Sequence, residues 1–272
     1  MKSLSQLTER DELIDNAMKS SRRFAAAPHG SVDGGALKES KRIPQQNGWI
    51  AEGTRFLTGR DFVLTCKLRI NAMPTKSHTS RGRIQNKSCR AGRNMPETLN
   101  HVLQICHRTH DARIRRHDAV VARGLEQRNH RVTRGTEFHT EEGVRKPDLI
   151  ATKMGRSIVI DAQVVSEHET ILDLAHKRKS EYYSKNASLR RVIAKYGTEE
   201  VQFSSATLSW RGLWSARSAK DVIKSGVISK SDLKVISSRV LVGGVAAWNL
   251  FNRRTSAKSR VSTRQMERTG VG

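Results

Sequence analysis

The sequence predicts a mixed α/β fold over residues 107–251, a sheet flanked by helices. Three observations predict it. Short runs of β character at 131–139, 146–153 and 157–165 follow one another with turn signals between them, Glu142-Gly143 and Met154-Gly155-Arg156. A further such run, 201–208, comes after helical patterns at 171–186 and 189–196. Other helical patterns, at 111–127, 218–225 and 232–251, bracket the whole, and an order of helix, three strands, helix, strand, helix is that of a mixed α/β domain.

The elements justify themselves in chain order. Residues 1–48 read as a flexible lead-in, with breakers at Pro28, Gly30 and Asp33-Gly34-Gly35 and weak hydrophobic periodicity. Residues 49–88 read as a helical linker. Phe56, Leu57, Phe62, Val63, Leu64, Leu68 and Ile70 recur at helical spacing until Met73-Pro74, where proline stops the helix, and a basic link follows from Lys76 to Lys87. Residues 89–106 form a compact Cys/His module. In the helix expected from Asp111, Ile114, Val121 and Leu125 share a face and Thr109 is placed as the N-cap. Gly243-Gly244 weakens the last helical pattern. Residues 252–272 carry Arg253, Arg254, Lys258, Arg260, Arg264 and Arg268 against Glu267 alone, and are expected to be a basic disordered tail.

Composition narrows the partner. The 272 residues carry 50 Lys plus Arg against 26 Asp plus Glu, a net charge of +24 and a pI near 10.8. Such a chain suits a dense negative field, and neutralising nucleic-acid phosphates releases their counterions. No N-terminal signal pattern is visible, and the apolar run Val235–Phe251 is interrupted by Arg239 and is too short and polar to span a bilayer, so no membrane partner is expected. Three cysteines, Cys66, Cys89 and Cys106, fit a reducing compartment rather than a disulfide scaffold.

Two groups of residues carry chemistry. In Lys146-Pro147-Asp148 and, thirteen positions on, Asp161, two acids lie in neighbouring β-like segments; paired side by side, these would hold a hard cation, Mg²⁺ or Mn²⁺, at one sheet edge. A cation there activates water and stabilises charge during phosphodiester hydrolysis. A lysine is needed beside it. Nucleases of the restriction-enzyme fold often place that lysine two residues after the second acid, where this chain has Gln163; Lys177 and Lys179 on the next helix are the substitutes, and helical spacing turns Lys179 inward with Ala175 and Tyr183. The competing reading makes Asp148 a turn residue after Pro147 and pairs Asp161 with an arginine. The second group is Cys89, His101 and Cys106, with zinc-ligand spacing but with Arg93 where a fourth ligand is expected; His107 or His110 would have to replace it. Beyond these, Arg113, Arg115, Arg116 and His117 form a basic helix stretch suited to backbone phosphates, and Trp210 and Trp214 fit the core better than a base-stacking role.

Taken in order, these pieces resemble one family. Leu57-Thr58-Gly59-Arg60-Asp61-Phe62, Leu68 to Thr75, Cys89-Arg90-Ala91-Gly92, Pro96 to His101 and Cys106 look like the linker and zinc knuckle of non-long-terminal-repeat retrotransposons that insert into ribosomal RNA genes. Arg145 to Asp148, Asp161 to Ser166 and Leu174 to Lys179 look like their restriction-enzyme-like endonuclease. The resemblance runs from about 41 to 251. It implies a restriction-endonuclease-like domain that nicks target DNA so that the freed 3′-hydroxyl primes reverse transcription of element RNA, in the nucleus. It further implies Asp148 and Asp161 as catalytic acids with Lys179, and Cys89, His101 and Cys106 as Zn²⁺ ligands. The chain departs from the family at Arg93 and has no Tyr-Ala-Asp-Asp polymerase motif, so it looks like the C-terminal portion of such a polyprotein, with an inactive nucleic-acid-binding remnant as the alternative.

Overall fold

The computed structural model describes residues 37, 40–55, 57–80, 83, 86–113, 118–166, 171–195 and 200–268, with side chains as far as 256. The helices are α1 Gly48–Glu52, α2 Gly59–Arg69, α3 Lys76–Thr79, α4 His110–Arg113, α5 Asp118–Glu126, α6 Ile171–Ser184, α7 Ala187–Ala194, α8 Ala216–Lys224 and α9 Lys230–Arg268. The strands are β1 Ser88–Cys89, β2 Arg93–Pro96, β3 Arg131–Arg134, β4 Phe138–Thr140, β5 Gly143–Arg145, β6 Leu149–Lys153, β7 Arg156–Val165 and β8 Glu200–Ser209.

The expected mixed α/β architecture is present. A four-stranded sheet has the order β3-β6-β7-β8; β3, β6 and β7 pair antiparallel, whereas β7 and β8 run parallel over ten residues. The β6–β7 hairpin closes through Met154 and Gly155, both at positive φ (48° and 72°), which matches the right-handed twist of its strands. Strand β7 is covered on both faces. Ile158 and Ile160 face a core with Val121 and Leu125 of α5, Val222 of α8 and Leu233, Ile236 and Val240 of α9. Val159 faces the other way, onto Tyr183 of α6 and Leu189 and Ile193 of α7. Each aliphatic side chain buried in this way contributes about 1.5–3 kcal/mol.

A second core joins the linker, the Cys/His module and α9: Trp49, Leu68, Met73, Leu99, Leu103, Trp248 and Phe251 pack together. It accounts for several differences from expectation. The helical linker is broken into α1, a 3₁₀ turn at Gly53–Arg55, α2 and α3. Thr58 caps α2 by accepting from the Asp61 amide at 3.2 Å. The expected lead-in is anchored at its end, where the Gln46 side-chain oxygen accepts from the buried Trp214 amide at 2.8 Å and Ile43 is buried. Helix α9 runs unbroken through Gly243-Gly244 and on through most of the 252–272 segment expected to be disordered. Gly244 is tolerated because α2 packs against it, a Cβ there falling 2.8 Å from Leu68 Cδ1. Phe251 and Thr255 are buried, which extends the helix past its expected end. Thr109 does not cap the next helix; its buried hydroxyl donates to the carbonyls of Val102 (2.5 Å) and Cys106 (3.0 Å). Trp210 and Trp214 are both core residues, as their four-residue spacing suggested.

Gly212 (φ 69°) closes the turn after β8 against α9, where a Cβ would fall 2.7 Å from the Ser237 carbonyl oxygen. Backbone cannot yield there as a flexible side chain would. Gly212→Ala is expected to lower stability by about 2–4 kcal/mol, read as a shift in the urea unfolding midpoint at unchanged m-value.

Candidate metal and phosphate site

The register of β6 against β7 sets Leu149 opposite Ile160 and so carries Asp148 to the position opposite Asp161. Cα atoms facing each other across an antiparallel ladder lie about 4.5–5.5 Å apart. The Asp148 carboxylate accepts from the Ala162 amide at 2.7 Å, which fixes it against β7 beside Asp161. Pro147 helps by setting the backbone just before the strand.

Asp161 is buried, and α6 supplies its partners. Lys179 Nζ lies 2.9 Å from Asp161 Oδ2, and the Tyr183 hydroxyl donates to Asp161 Oδ1 at 2.9 Å. The Tyr183 oxygen is also 3.2 Å from the Lys146 carbonyl, so one side chain touches both acid-bearing segments. Burial, followed by the negative charge of Asp161 and then that of Asp148, pushes the Tyr183 hydroxyl far above its ordinary pKa. Both carboxylates therefore act on one group. Tyr183 stays protonated and donates.

Lys179, which helical spacing turns inward, lies beside Asp161, whereas Lys177 does not reach the acids. It points away from the acids toward Glu181 at 3.7 Å, with 60% of its side chain exposed. Its offset from Lys179 by two residues turns it to a different helix face. The arginine partner in the competing reading of Asp161 is absent; a lysine holds it. Gln163 does not stand in for the missing lysine. Its amide donates to the Ala175 carbonyl (3.1 Å) and to Thr207 Oγ1 (2.8 Å), fastening α6 to the sheet. His176 adds two further ties, to Ser205 Oγ at 2.8 Å and Asp221 Oδ2 at 3.0 Å. Tyr183 was on the inward face by spacing yet went unassigned; its position four residues after Lys179 was the available signal.

The Cys/His module is a second site. Cys89, His101 and Cys106 are buried, and their ligand atoms all lie within 4.8 Å of one another. Both His101 ring nitrogens are buried without a hydrogen-bond partner, which is costly unless something else occupies one of them. A single π-helical turn, closed by the Cys106 amide donating to the His101 carbonyl at 2.8 Å, presents both residues to Cys89. Burial holds His101 below its ordinary pKa, with the Arg93 charge adding to it, and raises the Cys89 thiol. Arg93 lies opposite Cys89 in the β1–β2 hairpin, so a cationic side chain, not a fourth donor, stands at the position paired with Cys89. His107 and His110 are not part of the cluster found among the described residues. These donors fit three corners of a zinc site. Of the basic stretch, Arg115, Arg116 and His117 lie outside the described residues, as does the side chain of Arg113.

A mixed sheet with paired acids at a strand opening, beside a buried Cys/His cluster, thus defines the class of protein. Comparison with known proteins gives the particular relatives. The chain is 40% identical over 252 residues to the retrovirus-related Pol polyprotein from type-2 retrotransposable element R2DM of Drosophila melanogaster, covering 90% of this chain and 24% of that protein. It is 34% identical to the Pol polyproteins from type-1 retrotransposable element R2 of Nasonia vitripennis (94% of this chain, 26% of the relative) and Bradysia coprophila (84% and 26%). No protein-family model matches it. The chain is thus similar to a segment of these R2 retrotransposon Pol polyproteins and spans about a quarter of their length.

Tyr183 provides a test of the acid cluster that is independent of activity. Tyr183→Phe removes a buried hydrogen bond to a carboxylate while keeping the ring, and is expected to cost about 1.5–3 kcal/mol in chemical denaturation. A cost below about 0.5 kcal/mol would show that the hydroxyl does not support Asp161.

Proposed function

We propose that this chain is the metal-dependent DNA endonuclease portion of a retrotransposon polyprotein, nicking a target in a ribosomal RNA gene so that the new 3′-hydroxyl primes reverse transcription of element RNA in the nucleus. The observation that carries this reading is the convergence of Asp148 and Asp161 from adjacent strands with Lys179 at 2.9 Å. Similarity to a segment of R2 retrotransposon Pol polyproteins supports it.

Asp148 and Asp161 would hold Mg²⁺ or Mn²⁺, which when bound activates water and offsets phosphate charge. The protein's own residues do the rest. Tyr183 and Lys179 fix the Asp161 carboxylate from one side, leaving lone pairs on both oxygens for a cation. Lys179, with 38% of its side chain exposed, also presents its ammonium toward solvent, where it can meet the charge that develops on a phosphoryl group. The Ala162 amide holds Asp148 without neutralising it. No helix among the described residues is long and apolar enough to cross a membrane.

A second reading, an inactive nucleic-acid-binding remnant, is favoured by Arg93 in the ligand-type hairpin. Plasmid nicking separates the two. Cleavage with Mg²⁺ or Mn²⁺ and none with EDTA is expected, with Asp148→Ala and Asp161→Ala each losing about 10³-fold or more and Lys179→Ala about 10²-fold. DNA affinity should remain nearly unchanged in the two acid variants. Absence of metal-dependent nicking by the unmodified chain would leave the remnant reading.

The three buried donors are proposed to hold Zn²⁺. Metal analysis should find it bound, and Arg93→Cys, which restores a fourth thiolate, should tighten it and raise resistance to chelator-induced unfolding. A variant that gains neither would show that position 93 does not face the metal.

A further inference from the structure

One cavity among the described residues lies away from the acids. It measures about 790 Å³ and opens at the opposite end of the β6–β7 hairpin, between the loop after α5 and the C-terminal end of α8. Five residues of β6 separate it from Asp148, about 16 Å of strand. Its floor includes Ile158, on the sheet face opposite the one that carries Asp161. The cavity and the acid site are therefore on different faces and at different ends of one sheet.

The charge of this cavity is one-sided. Arg128, Lys153, Arg156 and Lys224 line it together with His130, and no carboxylate does. Arg128 and Arg156 are held from outside the lining by Asp232 (2.5 Å) and Glu200 (3.2 Å). Lys153 donates to the Arg128 carbonyl at 2.8 Å, and among the described residues neither Lys153 nor Lys224 has a carboxylate partner. Burial, followed by the charges of Lys153 and Arg128, depresses the His130 pKa, a local sign of the positive field. Met154, 91% exposed at the hairpin tip, adds an apolar lip.

The cavity continues. A second cavity of about 320 Å³ shares Ile158, Gln202 and Lys224 with it, and a third of about 510 Å³ shares Lys224 and Asp221 with the second. The third reaches Lys220 of α8 and Lys177 of α6. That third cavity lies on the α6 side of the sheet and is lined also by Glu181 and Asp221, so the one-sided positive lining belongs to the first cavity.

We infer that the first cavity is a second nucleic-acid site, one that holds the phosphodiester backbone of a single strand on the face of the sheet opposite the acids. Four cations with no carboxylate in the lining of the first cavity suit successive phosphates, and the exposed Met154 suits the apolar face of a base. A concave cavity of about 790 Å³ suits a single strand that can enter it, whereas a duplex would lie across its mouth. A single strand of DNA and one of RNA share this chemistry. The site stands whether or not the acid pair cleaves.

The test uses Lys153→Ser combined with Lys224→Ser, both exposed positions, in the full chain. Binding of a fluorescein-labelled oligonucleotide is followed by anisotropy in EDTA, so that cleavage does not enter, over a range of salt. Single-stranded DNA, single-stranded RNA and duplex DNA of one sequence are compared. The double variant is expected to bind single strands about tenfold more weakly, with a salt slope smaller by about 1.4, since each lost contact to a single strand removes about 0.7. Whichever strand chemistry loses more is the natural occupant. Unchanged affinity and slope would overturn the site, and so would a larger loss for duplex than for both single strands. Failure of the nuclease reading would show instead as absent nicking, leaving this binding result intact.

Discussion

The parallel pairing of β7 with β8 is the constraint on which the rest depends. Antiparallel neighbours can be joined by two residues, as β6 and β7 are, but parallel neighbours need a crossover that returns the chain to the starting end of the sheet. Residues 166–199 make that crossover and contain α6 and α7. Because the crossover packs on one face of the sheet, α6 must lie over the odd-numbered residues of β7. Asp161 is one of them, so Lys179 and Tyr183 arrive above it as a consequence of connectivity. Gln163 and His176 then fix the helix at the required height. A buried carboxylate would otherwise be costly; here it is compensated by an ammonium and a hydroxyl that the crossover delivers.

The same economy appears at the Cys/His module. Glu97 is fully buried, and it accepts from the Arg90 side chain at 2.9 Å, the Arg90 amide at 3.0 Å and the Lys76 amide at 3.1 Å. Arg90 in turn stacks over Phe251 of α9, 5.1 Å from its ring centroid. The hairpin that carries Cys89 is therefore tied to the linker and to the last helix by contacts that involve no metal. This explains how the module keeps three donors together although Arg93, not a fourth donor, pairs with Cys89 in the hairpin. Its cost is visible at His101, whose two buried nitrogens lack partners within the protein.

Charge separates the two faces of the sheet. On one face a pair of acids is fixed by a lysine and a tyrosine. On the other, cations gather with their counterions set back behind them.

Much of the fold was legible because local pattern and tertiary context agree. The strands 146–153, 157–165 and 201–208 and the helix 171–186 sit within a few residues of their expected bounds, since alternation and turn residues there match the sheet that forms. Lys179 over Lys177 followed from helical period alone. What sequence could not reveal are distances between segments remote in the chain. The extension of α9 past residue 251 depends on contacts with Arg90 and Asp111 that periodicity does not contain. The tolerance of Gly244 depends on Leu68, and the loss of Thr109 as a cap depends on two carbonyls that precede it. The sequence by itself determined which acids, cysteines and histidine are candidates and the order in which they come, because residue type and spacing are local properties of the chain. Only the tertiary structure decided that Asp148 and Asp161 converge, that Tyr183 joins them, and that the basic residues of the hairpin tip face the opposite way, because a pleated sheet sends alternate side chains to opposite faces and register decides which neighbours they meet.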